Sequence, residues 1–475
     1  MDEQTKISYH EIDFLIPSYR FKIHFSYITK RGLSFIREFV LRLVHLSPMK
    51  PQNLSEYLGL SEREIKEALR DLIEKNDLTY NEQGQVILTS QSSNYFTILG
   101  SSPQVSDVLT QNTTLNFEMT KFNYISSNNS DNKWGCGLPI DIKSEIIANR
   151  NKLAEKAFQD QFDLLLDEKV LSYLRNSKNT SRPKIYKIDS TYSMGRKPLR
   201  IKYNFAMDHN GIAVIHDDID QLKDDSAAQE LISQTIFNHS SSMNFKDIIN
   251  SIESFGDPYS SSLISEEGVD IGKFIEILHS EKANTGDFIP FIGPIYSENN
   301  WKTLNKQFET IKEKLTKKHQ DGVKKLYWLA PSSGFWGYND RIANCASELV
   351  NSSKTTGKKA KILYDPTFFL PIAEKHDGST KHRWKQDFKN VLGNVNAYIE
   401  GFHNGVVDIF LLEDELVAIT YYLTLPEVYP VPVPIGFISH DKRIIKQTHT
   451  QLTGYLESFD NEEDRKNLGR LSELK

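Results

Sequence analysis

Between Ser47 and Thr89 several local signals fall in one order, and together they leave few folds open. Leu33, Ile36, Phe39, Val40 and Leu43 recur at helical spacing until Ser47-Pro48-Met49-Lys50-Pro51 interrupts them, because proline lacks the amide that a helix interior needs. Gln52–Leu58 then resumes the helical pattern. Gly59-Leu60-Ser61 reads as a tight turn, and Ser61 followed three residues later by Glu64 is the pattern of a reciprocal capping box. The helix that this box opens reaches to about Lys75. It turns Ile65, Ala68, Leu69 and Leu72 inward and leaves Glu62, Arg63, Lys66, Glu67 and Arg70 outward. Leu78-Thr79-Tyr80 and Gln85–Thr89 flank a polar Asn81-Glu82-Gln83-Gly84 turn, which predicts a hairpin.

Helix, helix, turn, helix, hairpin is the order of a winged helix. The string NLSEYLGLSEREIKEALRDLIEKNDL, followed by GQVILT, resembles the winged helix-turn-helix domains of bacterial regulators. That resemblance makes the helix after the turn a recognition helix entering the major groove. Arg63, Lys66 and Arg70 then lie close together on one face, with Ser61 at the cap and Lys50, Lys75 and Gln85 as flanking nucleic-acid contacts. Tyr57 is expected to pack. Glu62, Glu64 and Glu67 interleave with the basic residues, and carboxylates are repelled by phosphate. Docking of a protein partner is therefore the alternative to DNA binding.

Charge supports only a local DNA contact. The 475 residues carry a net charge of -6, whereas proteins that coat nucleic acid neutralise many phosphates with Lys and Arg. A 39% hydrophobic, 25% charged composition is that of a folded globular chain. The two cysteines, Cys136 and Cys345, give no disulfide framework. Without a signal-like start or a long apolar run, the expected setting is the cytoplasm, with no membrane partner.

The length suggests about two to four domains. We expect a multidomain α+β and α/β chain: a winged-helix domain with N-terminal strands over 1–95, linker and strands over 96–140, a middle α/β region over 141–320, and a mixed-sheet C-terminal domain over 321–475. Residues 12–29 alternate as one or two strands, Ile142–Leu174 carries a long helical pattern, and 183–216 turns to strands. Ser126–Asn132 reads as a loop. Farther on, helices are expected at about 300–319, Asn339–Val350, His382–Val391 and Lys442–Leu456. Strands are expected at Leu326–Ala330, Ala360–Tyr364 and Val395–Ile399, with a hairpin of Val406–Leu412 and Leu416–Tyr422.

This element order, over about 322–458, resembles one half of the phospholipase D fold. That family presents His-x-Lys, four further residues and then an Asp from a strand, so that histidine attacks phosphorus while lysine holds the phosphoryl oxygens. Aligning Glu413 or Asp414 with the acid places Val406 or Val407 at the nucleophile and Asp408 or Ile409 at the lysine. The resemblance therefore implies a site without its chemistry. His440-Asp441-Lys442 has Gln447 where the acid belongs and precedes a helix rather than lying on a strand.

The remaining candidates have plainer readings. His403 reads as structural, Asp217, Asp218 and Asp220 as a solvated turn, Tyr429–Pro434 as an ordered connection, and the basic run Lys312–His319 as a wet helix face. Neither a P-loop nor a zinc motif is present, and no cofactor or metal is expected. Two functions follow. The first is a non-enzymatic DNA-binding or assembly subunit, similar to regulators that join a winged helix to an inactive phospholipase-D-like domain and to accessory proteins of bacterial antiviral defence systems. The alternative is a nuclease or phosphodiesterase using His440 and Lys442, or Asp141 with Lys143 in a D-x-K fragment of metal-dependent nucleases.

Overall fold

A computed structural model describes all residues except 1–5, 32–34, 99–102, 104, 127–134, 175–181, 215–225, 318–322, 356–360, 459–464 and 475. The chain is mixed α and β and forms two compact units. One comprises Met1–Ser18, Asn128–Ile142 and Lys197–Lys475, the other Tyr19–Ser127 and Lys143–Arg196. Each draws on separate stretches of chain because two long strands, Ile7–Arg31 and Lys184–Met207, each run from one unit into the other. Among the described residues no helix is long and apolar enough to cross a membrane.

The larger unit is built on an eight-stranded sheet. From edge to edge its strands are Ile289–Ile292, Val433–Ser439, Leu416–Leu423, Val407–Leu412, Lys324–Leu329, Tyr364–Ile372, Val395–Ile399 and Asn467–Arg470. Lys324–Leu329, Tyr364–Ile372 and Val395–Ile399 run parallel to one another, and the other neighbours pair antiparallel. Strands covered on both faces should read as continuous apolar runs. Val407–Leu412 and Leu416–Leu423 do, each buried along its whole length. Trp301, Trp328, Trp336 and Trp384 anchor the core beside this sheet.

Several expectations are corrected here. Of the strand expected at Ala360–Tyr364, Ala360 lies outside the described residues, and the strand observed begins at Tyr364 and continues through Pro366 and Pro371 to Ile372. Each proline lies where the strand has one neighbour: pairing with Val395–Ile399 starts only at Phe368, and pairing with Lys324–Leu329 ends at Phe369. Neither missing amide breaks a ladder. The helix expected over His382–Val391 covers Gly378–Asp387, followed by a 3-10 turn. Tyr429–Pro434 is not only a connection, since Val433 already opens a buried strand.

In the smaller unit, the long helical pattern over Ile142–Leu174 resolves into Ser144–Ala148, Arg150–Asp160 and Phe162–Asp167 with a terminal 3-10 turn. At the second junction the Gln161 side chain accepts from Tyr124 N at 2.9 Å and donates to Phe122 O at 2.7 Å. Helices α1 (Phe35–Leu46), α2 (Pro51–Leu58) and α3 (Glu62–Glu74) precede a hairpin of Leu78–Tyr80 and Val86–Leu88. Pro51, read as part of a break, is the first residue of α2, where its missing amide costs nothing. Val40, Leu41, Val44, Leu54, Ile65, Leu69, Leu72, Leu78 and Val86 form one buried cluster among these elements. Ala68 is only partly buried.

Candidate nucleic-acid interface

The three-helix and hairpin element presents α3 through a well-defined start. Gly59 adopts φ 64°, a left-handed conformation that glycine enters without a Cβ penalty, and closes α2. Two residues later Ser61 takes an extended conformation, and its hydroxyl accepts from Glu64 N at 3.4 Å. In return the Glu64 carboxylate accepts from Ser61 N at 2.9 Å and from the Ser61 hydroxyl at 2.7 Å. These hydrogen bonds hold the Glu64 carboxyl below its ordinary range. Ser61 thus orients the helix, and its hydroxyl hydrogen is already given to Glu64.

Ile65, Leu69 and Leu72 lock one face of α3 to the buried cluster, which leaves Arg63, Lys66 and Arg70 exposed together on another. Arg63 makes no ion pair or hydrogen bond among the described residues. Lys66 lies 3.9 Å from Glu62, and Arg70 lies 4.0 Å from Glu67 and 3.9 Å from Glu74. Exposed pairs at this separation are worth at most about 1 kcal/mol, so incoming phosphates can replace them. Five acidic and three basic residues nevertheless occur within Glu62–Glu74. Alone, the helix is a weak attractor of DNA.

The flanking candidates divide into two groups. A bridge between Met49 and Val86, with Val86 N donating to Met49 O at 2.8 Å, sets Lys50 opposite Gln85 beside the hairpin. Lys50 is exposed. Gln85 is half-buried, and its side-chain oxygen accepts from Asn81 Nδ2 at 3.0 Å. Lys75 sits at the other end of α3, 3.8 Å from Asp71, and Asp71 is shared with Arg37. Twelve residues of helix rise, roughly 18 Å, separate it from Arg63.

Tyr57 corrects the expectation that it packs: it is 73% exposed, because α2 buries only Leu54. Tyr80 on the hairpin is also largely exposed. No spacing rule distinguishes these aromatic residues from core ones in so short a helix and strand.

The catalytic alternatives have other partners. His440 Nδ1 contacts Glu415 O at 3.0 Å, and Nε2 contacts Gln307 Oε1 at 3.2 Å, while Lys442 bonds Asp414 O. Asp141 and Lys143 are exposed and lie outside any helix or strand. His403 contacts Ser251 Oγ at 3.2 Å and Gln451 Oε1 at 2.9 Å, and burial pushes its pKa down. On the strand where a phospholipase D site would lie, Val407 and Asp408 are fully buried. Desolvation raises Asp408 to about 7 against the opposing pull of two indole donors, Trp336 and Trp328. Among the described residues no group of three or more His, Cys, Asp or Glu could hold a metal ion. Asp217, Asp218, Asp220, His319 and most of Ser126–Asn132 lie outside the described residues.

No family model and no curated relative matches the chain. Among solved structures, phosphatidylserine synthase of Haemophilus influenzae Rd KW20 aligns at 14% identity and a TM-score of 0.24, over 48% of this chain. This chain spans about half of that protein, 54% of its length. TrmBL2, an archaeal chromatin protein whose structure shows a novel mode of DNA binding, aligns at 10% identity and a TM-score of 0.21, over 90% of this chain and 93% of its own. Both scores lie well under 0.5, so neither likeness bears on the fold or the function of this chain.

Proposed function

We propose that Phe35–Leu88 is a winged helix-turn-helix unit and that the protein is a non-enzymatic DNA-binding subunit, with α3 as its recognition helix. The observation that carries this reading is the exposed face of Arg63, Lys66 and Arg70 on a helix fixed by its Ser61–Glu64 cap and its buried leucines. Such a helix can enter a major groove, and the juxtaposed Lys50 and Gln85 offer a second contact beside it. Lys75 serves as an outlying phosphate contact. Because the helix carries more acid than base, protein partners in a regulatory or antiviral defence assembly would supply much of the affinity. The C-terminal sheet is the inactive phospholipase-D-like scaffold of this reading, with Val407 and Asp408 on the strand that would carry the nucleophile and lysine.

Fluorescence anisotropy with a labelled duplex across a salt series tests the DNA contact. Few phosphate contacts predict measurable binding near 50 mM salt and a shallow slope, about 2 to 4 counterions released. Absence of binding at low salt, by the chain alone and with its neighbouring gene products, would overturn the proposal.

A further inference from the structure

In the larger unit, a cavity of about 450 Å³ is bounded by the helix Ser226–His239, the short strand Ala213–Val214, the Tyr203–Phe205 part of its long strand and the Pro426–Pro430 loop. The aromatic side chains of Tyr203, Phe205, Phe237 and Tyr429 line it. Tyr429 is pinned, since its hydroxyl donates to Gly211 O at 2.6 Å and accepts from Val269 N at 3.1 Å. The Tyr9 ring stands edge-on to it with centroids 5.6 Å apart, and the Tyr203 and Phe205 rings pack at 4.8 Å. These rings are held in place without a ligand, so binding would cost little ordering. Phe237 is different: it is 79% exposed although it lines the cavity. Leaving an aromatic ring in water is unfavourable, and an occupant would cover it.

Among the described residues no lining side chain carries a formal charge. An ion placed here would lose hydration without gaining a partner, which strongly disfavours charged ligands. The hydroxyls of Ser233 and Ser240 are the small polar handles. Ser240 Oγ already donates to Ile236 O at 2.9 Å, so toward a ligand it can only accept. Volume, apolar lining and a few hydroxyls are the features of a small-molecule pocket. We propose that this cavity binds an uncharged, ring-bearing small molecule.

The test is a fluorescence titration of the full chain with N-phenyl-1-naphthylamine, an uncharged two-ring-system probe. Its anionic relative 8-anilinonaphthalene-1-sulfonate carries the same rings plus a sulfonate. The expected result is saturable binding of about one equivalent of the neutral probe, with the sulfonate roughly tenfold weaker. Ser233→Trp, at an exposed lining position, should weaken the neutral probe at least about tenfold by filling the space. Phe237→Ser provides a second variant at an exposed side chain, with an expected loss of about fivefold. Far-UV circular dichroism establishes that each variant is folded. No saturable binding, equal binding of the two probes, or unchanged binding by both folded variants would overturn the proposal.

Discussion

Asp408 Oδ2 accepts the indole N–H of Trp336 at 2.8 Å, within a strand whose every residue is buried. Trp328 supplies a second donor to Oδ1 at 2.9 Å. Desolvation outweighs both donors and lifts the carboxyl from 3.8 to about 7. The folded protein therefore keeps a proton that the unfolded chain releases, and stability falls as pH rises from about 4 to about 7. The ceiling on this loss is about 4 kcal/mol. Urea denaturation of wild type and Asp408→Asn across this window checks it: the wild-type stability minus that of the variant should decline with pH. A flat difference would contradict the assignment.

His10 acts in the opposite direction over nearly the same range. Burial lowers its pKa from 6.5 to about 4, so the unfolded chain takes up a proton that the folded chain refuses. Stability is lost as pH falls from about 6.5 to 4, by up to about 3 kcal/mol. His10→Phe should remove this acid-side loss, read as a difference against wild type by the same denaturation series. Asp13, raised to about 6 by desolvation despite its bond to Arg200, adds to the Asp408 trend. Differences between variants are therefore more telling than either raw profile.

The cap of α3 should be worth a modest amount. Ser61→Ala removes the acceptor for Glu64 N and the hydroxyl donor to the Glu64 carboxylate, leaving only the backbone N–H of residue 61, at a cost of about 1 kcal/mol. Ser61→Asp, another good N-cap, should recover most of that. Equal stability of the alanine variant and wild type would mean that the cap contributes nothing to stability.

Glu67 lies on the face that carries Arg70 and holds that guanidinium at 4.0 Å. Glu67→Gln removes a repulsive carboxylate and leaves Arg70 with Glu74 as its remaining acidic neighbour. Duplex affinity, measured by anisotropy at fixed salt, should rise by about two- to fivefold. A fall would mean that the carboxylate assists binding.

What the sequence discloses here depends on how local the governing interaction is. The Ser61–Glu64 box, the turn at Gly59 and the Leu78–Leu88 hairpin are set within a few residues, and the observed bonds match the pattern. Tyr364–Ile372 was hidden because its two prolines are tolerated only through the staggered ends of its neighbours, a relation among three separate strands. The helix Phe245–Phe255 has no side-chain cap at its start, and its closing Gly256, at φ 66°, is the one local signal that marks it in the chain. On the candidate interface, the side-by-side positions of Arg63, Lys66 and Arg70 follow from helical spacing. The exposure of Tyr57 and the position of Lys50 across from Gln85 depend on the tertiary packing of α2 and on the Met49–Val86 bridge.

Arg63 is the exposed cation of α3 that has no acidic partner among the described residues, so its substitution disturbs no internal contact. Duplex affinity of Arg63→Glu, measured by anisotropy beside wild type under the conditions where wild type binds, tests the recognition-helix assignment most directly. The expected result is a loss of about tenfold or more, with a salt slope reduced by about one counterion or more and an unchanged denaturation midpoint. Unaltered affinity in the folded variant would contradict it.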